Sequence, residues 1–312
     1  MPKLDERQII EMFQRSFGNK KFVSEDVETF QIGKNFGVIK TDTLVASTDV
    51  PPKMSLVDVA RKSIVASISD FAAKGVRPLY CIISVSLPKN FSRSKVSQLA
   101  NGFRAASREF GFNILGGDTN RAKELVISAT LVGMIGKITR RNGSRSGDAI
   151  LVTGPFGLSS AGLEILLNGK KAGGKFQSQA KKSVFHPTPR LEFGIKVAGL
   201  LSSAMDSSDG LSTCLVEMAE QSKKKFALTL APGADGLQEF AKTNRLDFLD
   251  LIFNGGEEYE MVMTAPLRNL GKLKKIAKAQ KIHLIEIGRV QKGNGVVLQK
   301  TEITNGGWSH KF

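Results

Sequence analysis

The strongest constraint on the fold is that short apolar runs alternate with longer segments of helical spacing along nearly the whole chain. Residues 79–87 (LYCIISVSL) are apolar and β-branched, which predicts a buried strand. Residues 55–75 carry apolar side chains at helical spacing and end at Gly75, a typical C-terminal helix cap. Strands and helices of this kind interleave in both halves, and this order predicts an α/β fold.

The remaining elements are predicted by the same two periodicities. Helices are expected at residues 1–20, 94–110, 158–167, 235–243 and 266–280, after residue 190 and from about residue 210. Strands are expected at residues 36–40, 112–115, 124–136, 149–154, 203–206, 226–230, 258–264, 283–290 and 295–299. The lysine-rich stretch at residues 169–182 is interpreted as a surface loop.

A polar stretch interrupts the alternation near the middle of the chain. Residues 137–148 (KITRRNGSRSGD) contain turn-forming residues and no apolar core, so we place a domain boundary there. A chain of 312 residues suits two domains of ordinary size. The sequence therefore predicts an N-terminal domain over residues 1–137 and a C-terminal domain over residues 147–312.

The chain is strongly basic, with a formal net charge of +16. This charge suits anionic partners, either nucleic acid or phosphorylated small molecules. A basic surface without a partner explains it equally well, because the lysines and arginines are spread along the chain. The aromatic residues are mostly phenylalanines at apolar periodic positions, which favours a core over base-stacking platforms. We therefore expect no nucleic-acid partner, and a basic nucleic-acid-binding protein remains the alternative from a different functional class.

The surroundings of the cysteines and the length of the apolar segments indicate the cellular compartment. Cys81 and Cys214 lie in apolar stretches, so buried thiols are expected rather than a disulfide framework or a zinc site. No segment approaches 18 apolar residues, and no signal peptide is recognisable at the N-terminus. These features favour a cytoplasmic protein that does not interact with a membrane.

Aspartates in small-residue surroundings stand out among the chemically active residues. They occur at Asp26, Asp42, Asp70, Asp118, Asp206 and Asp209, beside glycine or hydroxyl residues. Hard carboxylate oxygens of this kind select Mg²⁺, which bridges to substrate phosphates. Any one of them could instead be a helix cap or a turn residue, and capping alone would explain Asp209 before Gly210. Together they favour a site for several metal ions, since the chain has no P-loop and only three scattered histidines.

Two glycine pairs add to this pattern. Gly116-Gly117 precedes Asp118 and would let backbone amides approach a phosphate closely, although the motif is short. Gly255-Gly256 precedes an acidic stretch at a predicted helix-to-strand junction, and the alternative there is a solvated acidic turn.

Taken in order, these motifs resemble the thiamine-monophosphate kinase family, which belongs to a superfamily that includes aminoimidazole ribonucleotide synthetase. The resemblance runs over nearly the whole chain. It rests on TDTLV (41–45), SDFAAKGVRP (69–78), GGDTNR (116–121), GDAILVTGPFG (147–157), HPTPR (186–190), DSSDGL (206–211), GGEEYE (255–260) and GWSHKF (307–312).

The resemblance implies a two-domain α/β (α+β) fold of the aminoimidazole ribonucleotide synthetase type, distinct from a Rossmann fold. It implies a homodimer in which the N-terminal domains pair into a barrel, with ATP and thiamine monophosphate bound between the domains. By motif position, the Mg²⁺ ligands are Asp26, Thr41, Asp42, Asp70, Asp118, Asp206 and Asp209. The implied ATP contacts are Gly117, Asp118, Arg141 and Ser208, and the implied substrate contacts are Asp49, Glu257 and Trp308. Asp42, Asp118 and Asp209 are the expected catalytic residues.

Two positions depart from the family's usual pattern. Ser24-Glu25-Asp26 stands where the family has Gly-Asp-Asp, so the loop keeps the second acid but loses its glycine. Asp49 stands where the family has a histidine at a substrate-contact position. An acid beside a substrate phosphate would be repulsive unless it faces the thiazolium cation or a metal ion.

The implied reaction passes the γ-phosphoryl group of ATP directly to the phosphate of thiamine monophosphate. The acceptor oxygen is largely ionised at neutral pH, because the second pKa of a phosphomonoester is near ~6. No general base is then needed, and positioning and charge neutralisation by several Mg²⁺ ions carry the catalysis. The alternatives within the superfamily are an aminoimidazole ribonucleotide synthetase or a selenophosphate synthetase. The latter normally carries a reactive cysteine or selenocysteine in an N-terminal glycine-rich loop, where this chain has neither of its cysteines.

Overall fold

The computed structural model describes residues 6–19 and 22–309. Its helices are α1 (Glu6–Ser16), α2 (Ala46–Asp49), α3 (Leu56–Lys74), α4 (Arg93–Phe110), α5 (Leu158–Leu167), α6 (Gly174–Phe185), α7 (Leu191–Val197), α8 (Leu211–Ser222), α9 (Leu237–Asn244), α10 (Phe248–Phe253) and α11 (Leu270–Ala279). Short 3₁₀ helices occupy Ala198–Leu200 and Leu267–Asn269.

The strands are β1 (Glu28–Ile32), β2 (Asn35–Val45), β3 (Arg77–Pro88), β4 (Asn113–Ala122), β5 (Val126–Ile135), β6 (Ala149–Val152), β7 (Ser203–Asp206), β8 (Lys225–Leu228), β9 (Met261–Ala265), β10 (Ile285–Gln291), β11 (Gly295–Leu298) and β12 (Thr301–Glu302). They form two sheets, one on each side of the polar stretch at residues 137–148. The first has the order β1-β2-β5-β3-β4, and the second has the order β12-β11-β8-β10-β6-β9-β7.

The first sheet is antiparallel except at one edge. β2 pairs antiparallel with β5, and β5 pairs antiparallel with β3. β4 pairs parallel with β3. This parallel pair is joined by α4, as a parallel connection requires a crossover. β4 therefore forms an edge strand of this sheet, and its residues are almost all exposed.

Helix α3 joins the two sheets and is buried along nearly its whole length. It packs against β2 and β5 of the first sheet and β7 of the second. A helix that is apolar on most sides is a core helix. Its close packing shows at Gly194 of α7, where an added Cβ would lie 2.0 Å from the carbonyl oxygen of Ala72. The helix ends as the sequence predicts, since Gly75 adopts a left-handed conformation with φ of 71°.

The lysine-rich stretch at residues 169–182 is not a loop as predicted, because α6 covers Gly174–Phe185. Phe176, Ala180 and Val184 recur every four residues and so share one face of the helix. Ala180 and Val184 are buried in the core of the second domain. The lysines therefore line the opposite side of an amphipathic helix, and their number obscured its short apolar stripe in the sequence.

Several strand predictions were correct in position but wrong in extent. β2 continues through the TDT motif to Val45 instead of ending at residue 40. β4 continues through Gly116-Gly117-Asp118 to Ala122, where the sequence predicted a strand only to residue 115. The glycines thus occupy an edge strand rather than a loop. The sequence also did not predict β1, α2, α10 and β12.

At the N-terminus, the predicted helix over residues 1–20 corresponds to α1, and residues 1–5 and 20 lie outside the described residues. The same holds for His310, Lys311 and Phe312 of the C-terminal motif. No helix in the described part of the chain is both long and apolar enough to span a bilayer.

Candidate functional site

Three aspartates from distant parts of the sequence form a buried cluster where α3 packs against strands of both sheets. Asp26 precedes β1, Asp70 lies in α3 and Asp206 ends β7. Each offers a carboxylate oxygen, and these three oxygens lie within 4.8 Å of one another. All three residues are buried. We call Asp26, Asp70 and Asp206 the acidic cluster.

Basic side chains surround the acidic cluster. Arg141 donates a hydrogen bond from Nε to Oδ1 of Asp26 at 2.6 Å. The Nζ atom of Lys74 lies 2.9 Å from Oδ2 of the same carboxylate. Lys40 lies 3.0 Å from Oδ2 of Asp70. Each basic group compensates part of the negative charge of these carboxylates, because a buried charge without a partner is energetically unfavourable.

Burial and charge repulsion act unequally on the three carboxyls. Desolvation raises the pKa of Asp70 well above its usual range, and the neighbouring aspartates add to the rise against the opposing effect of Lys40. Desolvation and the charge of Asp26 raise the pKa of Asp206 to about 7. The pKa of Asp26 is lowered, because Lys74 and Arg141 outweigh the effect of its own burial. The surrounding basic residues therefore do not fully compensate the negative charge of the acidic cluster.

The donor set suits a divalent cation. It offers carboxylate oxygens only, which are the ligands that Mg²⁺ prefers. Oδ2 of Asp26 is already contacted by Nζ of Lys74 at 2.9 Å. The raised pKa values of Asp70 and Asp206 indicate that these two carboxyls lack compensating positive charge, which a divalent cation would supply.

Asp42 lies beside the acidic cluster. It occupies the middle of β2, accepts a hydrogen bond from Oγ of Ser67 at 2.6 Å, and lies 3.5 Å from Nζ of Lys40. The Thr41 side chain points away from that of Asp42, because neighbouring side chains in a strand face opposite sides of the sheet. Its hydroxyl accepts a hydrogen bond from Thr130. The Thr41 hydroxyl therefore lies on the face of the sheet opposite Asp42.

Asp209 lies between β7 and α8 and does not cap that helix. Gly210 occupies the cap position, and no side chain caps the helix there. Burial raises the pKa of the Asp209 carboxyl. The capping explanation that the sequence left open is therefore wrong, and Asp209 is available for another role.

Two cavities meet at Asp209. The first has a volume of about 390 Å³ and is lined by Asp42, Asp49, Lys62, Ser208, Asp209, Glu257 and Trp308, among others. The second has a volume of about 710 Å³ and is lined by Ser24, Arg141, Asp209, Thr213, Glu217 and Ser309, among others. A group bound in one cavity can therefore lie next to a group bound in the other.

Three residues predicted to contact the substrate line the first cavity. Glu257 follows two glycines, and its backbone N–H donates to the carbonyl of Ser208 at 2.6 Å. Trp308 donates its backbone N–H to the carbonyl of Asp209. Its side chain is 62% exposed, so the indole is not buried in the domain core. Oδ2 of Asp49 accepts the backbone N–H of Val45 at 2.6 Å, so one oxygen of this unexpected acid is engaged within the protein.

The structure does not bring every predicted residue to the acidic cluster. In the register of the first sheet, Asp118 lies across from Ser84, which lies across from Ser128 and then Thr43. Asp118 and Thr43 are therefore three strand spacings apart, or about 14 Å. Gly117 and Asp118 instead line a third cavity, of about 580 Å³, on the exposed edge of the sheet. Ser208, predicted to contact ATP, lines the first cavity rather than the one that Arg141 lines.

Sequence reasoning missed the half-buried Lys40 and the buried lysines Lys62 and Lys74. Lys62, Asp70 and Lys74 recur at multiples of four residues in α3, and this places them along one stripe of the helix. Charged residues at regular spacing in an otherwise apolar helix were the available signal. The structure also explains the altered N-terminal loop, since Glu25 pairs with Lys74 at 2.7 Å.

Comparison with known proteins places this site in a family. Residues 24–135 match the family model of the AIR synthase related protein N-terminal domain, and residues 145–301 match that of the C-terminal domain. The chain is 53% identical to a thiamine-monophosphate kinase of Nitrosopumilus maritimus, over 99% of each chain. The chain belongs to the thiamine-monophosphate kinase family. A thiamine-monophosphate kinase of Pyrococcus horikoshii is 30% identical over 99% of this chain and 97% of its own length.

Solved structures of the thiamine-monophosphate kinase family share the whole fold. The structure described as AaThiL complexed with AMPPCP and TMP matches with a TM-score of 0.87 and 26% identity, over 98% of this chain and 97% of that one. The hydrogenase maturation protein HypE in complex with ATP shares the fold at 19% identity with a TM-score of 0.66, over 98% of this chain and 92% of that one. The expected two-domain fold of the aminoimidazole ribonucleotide synthetase type is thus confirmed.

Proposed function

We propose that the protein transfers the γ-phosphoryl group of ATP to thiamine monophosphate and so forms thiamine diphosphate. The observation that carries this proposal is the pair of cavities that meet at Asp209. A family structure of the same fold holds an ATP analogue and TMP together. A kinase that transfers a phosphoryl group directly needs such neighbouring sites for donor and acceptor.

Thiamine monophosphate is assigned to the first cavity and ATP to the second. The first contains the Trp308 indole, whose face suits the cationic thiazolium ring. The second contains Arg141, a cation that suits the ATP phosphates. Both phosphate ends would point toward Asp209, where the two cavities join.

The carboxylates at this junction would hold several Mg²⁺ ions. Asp26, Asp42, Asp70, Asp206 and Asp209 lie at or beside the acidic cluster, and their oxygens fit such ions. Bound Mg²⁺ supplies neutralisation of the phosphate charges and a template for in-line transfer. Lys40 and Arg141 supplement that positive charge, and burial of the cluster strengthens every electrostatic interaction within it.

We expect the transfer to be direct, because neither thiol is a suitable nucleophile and the carboxylates at the junction, Asp42 and Asp209, are assigned to bound Mg²⁺. The pKa of the Cys81 thiol is raised by burial to about 12, and the pKa of the buried Cys214 thiol is also raised. Both thiols therefore remain protonated and unreactive at neutral pH. The acceptor phosphate of thiamine monophosphate is itself ionised and needs no activation by a base.

The site is completed in a homodimer that pairs along the exposed edge of the first sheet. The outward face there carries apolar side chains, including Tyr80, Ile82 and Leu115. Pairing would cover them and would place Gly117 and Asp118 at the subunit interface. We expect the protein to act in the cytoplasm, without a membrane or nucleic acid as partner.

A mixture of two inactive variants tests whether Asp118 serves the partner's site. Asp118→Asn and Asp209→Asn protomers are unfolded together, refolded together and assayed. If Asp118 acts across the interface, the mixed dimer contains one site with both native residues, and activity returns. If Asp118 acts within its own protomer, both sites of the mixed dimer carry one substitution, and activity stays low.

A product assay tests the reaction itself. The protein is incubated with ATP, MgCl₂ and thiamine monophosphate, and thiamine diphosphate is measured by chromatography. We expect wild type and the exposed control variant Asp235→Asn to form it, and Asp209→Asn to be slower by about two orders of magnitude. ATP hydrolysis without thiamine diphosphate would contradict the proposal.

A further inference from the structure

Lys62 is a buried lysine on the wall of the first cavity. It lies in the first third of α3, and its side chain is only 3% exposed. Among the described residues that line this cavity it is the one basic side chain, whereas Asp42, Asp49, Asp209 and Glu257 are acidic. A lysine is seldom buried so fully unless its ammonium group is paired.

The Lys62 ammonium joins three parts of the chain. Nζ donates to the backbone carbonyl of Asp49 at 2.8 Å. It also lies 2.6 Å from Oε1 of Glu257. These contacts link α3 to α2 and to the irregular segment between α10 and β9. They engage one oxygen of the Glu257 carboxylate and leave Oε2 outside this ion pair.

Glu257 is held in an uncommon backbone conformation. Its φ is 62°, in the left-handed region that side chains other than glycine rarely adopt. The backbone hydrogen bond to Ser208 fixes this position. An added Cβ at Gly256 would lie 2.8 Å from that same carbonyl oxygen and 3.8 Å from Cβ of Trp308. Strain of this kind is retained where it aims a functional side chain.

Glu257 and Trp308 line the same cavity, but the backbone conformation of Glu257 does not fix its long side chain beyond Cβ. The carboxylate is 27% exposed on the cavity wall and would otherwise sample several rotamers. The ion pair with the rigid, buried Lys62 selects one of them. The carboxylate and the indole therefore present a negative oxygen and an aromatic face to the same space. Both features attract a cationic ring.

We propose that Lys62 is a positioning residue that orients Glu257 against the cationic thiazolium ring, and thereby sets the affinity for thiamine monophosphate. This inference rests on the proposed function. It assigns Lys62 no part in phosphoryl transfer, because its role is complete once the acceptor is bound. Loss of Lys62 should therefore raise KM for thiamine monophosphate and leave kcat and KM for ATP nearly unchanged.

Equilibrium binding measures this role without turnover. Trp308 is the single tryptophan of the chain, so its fluorescence reports ligand binding directly. Titrations with thiamine monophosphate and with unphosphorylated thiamine are compared for wild type, Lys62→Met and Lys62→Arg. We expect Lys62→Met to weaken both ligands by the same factor, about tenfold. We expect Lys62→Arg to recover part of the loss, since a guanidinium can also pair with Glu257.

A double-mutant cycle shows whether Lys62 acts through Glu257. If it does, Lys62→Met combined with Glu257→Gln should bind no more weakly than Glu257→Gln alone. Lys196→Met, on the exposed side of α7, is the matched control and should bind like wild type. Circular dichroism of each variant checks that the fold is retained.

The remaining outcomes overturn the inference in distinct ways. Weaker binding of thiamine monophosphate but not of thiamine would mean that Lys62 binds the phosphate directly. Additive losses in the double variant would mean that it acts independently of Glu257. Wild-type affinity in Lys62→Met would exclude any role of Lys62 in binding. A wild-type protein that neither binds thiamine monophosphate nor converts it would instead overturn the proposed function on which the inference rests.

Discussion

The two ends of α3 each bury a lysine, but the two lysines meet different partners. Lys62 pairs with Glu257, which is partly exposed on the wall of a cavity. Lys74 is 0% exposed and pairs with Glu25 and Asp26, whose side chains are almost fully buried. The two positions are twelve residues apart, or about 18 Å along the helix axis.

This difference separates two uses of a buried charge. Near Lys74, the ammonium group and the carboxylates of Glu25 and Asp26 are all almost fully buried away from water, so each charge is stabilised by its partner. Near Lys62, water can solvate the Glu257 carboxylate if the lysine is lost. We therefore expect loss of Lys62 to weaken ligand binding more than the stability of the fold. Asp70 lies between them on the same stripe of α3 and belongs to the acidic cluster. The helix thus spans from the first cavity to the acidic cluster.

The largest effect is expected at Asp70, which lies between the two lysines. Asp70→Asn removes a carboxylate from the acidic cluster and should lower kcat by about two orders of magnitude. Calorimetry should also show weaker Mg²⁺ binding by the variant in the absence of nucleotide. Binding of thiamine monophosphate, followed by Trp308 fluorescence, should change little. Wild-type Mg²⁺ affinity in Asp70→Asn would remove it from the ligand set.

The next largest effect distinguishes the two ends by stability. Lys74→Met leaves Glu25 and Asp26 buried with less positive charge nearby, and should lower the free energy of unfolding by about 3 kcal/mol. Lys62→Met should lower it by less than about 1 kcal/mol, because Glu257 can be hydrated. Urea denaturation of both variants measures the difference. Equal losses would show that the two lysines serve the same structural purpose.

A smaller effect is expected at Trp308, which also lines the first cavity. Trp308→Ala removes the aromatic face without touching the ion pair of Lys62. We expect KM for thiamine monophosphate to rise about tenfold, which corresponds to ~1.4 kcal/mol, while KM for ATP stays constant. Steady-state kinetics with each substrate varied in turn measures this. An unchanged KM for thiamine monophosphate would place the thiamine ring elsewhere.

The last effect concerns a half-buried acid that is stabilised by backbone groups instead of a lysine. Oε1 of Glu258 accepts the backbone N–H groups of Gly157 and Ser159. Burial nevertheless raises the pKa of Glu258 to about 8 from its usual value of 4.5. The folded state therefore retains a proton that the unfolded state has released between these two pH values. Its contribution to stability is present below pH 4.5 and is lost as the pH rises through about 8.

Glu258→Gln tests this contribution. Glutamine does not titrate, so the stability of the variant relative to wild type should increase between pH 5 and pH 9. The gain should be at least about 1.4 kcal/mol, the value of one pKa unit. Parallel urea denaturation at the two pH values measures it. A difference that is independent of pH would show that the carboxyl titrates alike in the folded and unfolded states.

The sequence predicted those parts of the molecule that depend on local pattern. Helix α3 was bounded correctly because its periodicity and Gly75 are local signals. The aspartates of the acidic cluster were singled out by residue type and by family resemblance. Their convergence in space depends on how α3 packs between two sheets, and no local pattern encodes that packing.

The features that were not predicted depend on contacts between residues far apart in the sequence. Lys62 and Glu257 are separated by 195 positions, so nothing near either residue indicated the ion pair. Gly116-Gly117-Asp118 resembled a phosphate-binding loop, but pairing with β3 extends it into an edge strand. The glycine pattern allows both conformations, and only the register of the sheet decides between them.

We propose that donor and acceptor occupy neighbouring cavities and that the phosphoryl group passes directly between them at Asp209. A rapid-quench experiment with enzyme in excess over γ-labelled ATP tests it, in the presence of Mg²⁺ and thiamine monophosphate. We expect the label lost from ATP to appear in thiamine diphosphate at every time point, with none on the protein. Label that accumulates on the protein and then passes to thiamine diphosphate would contradict direct transfer.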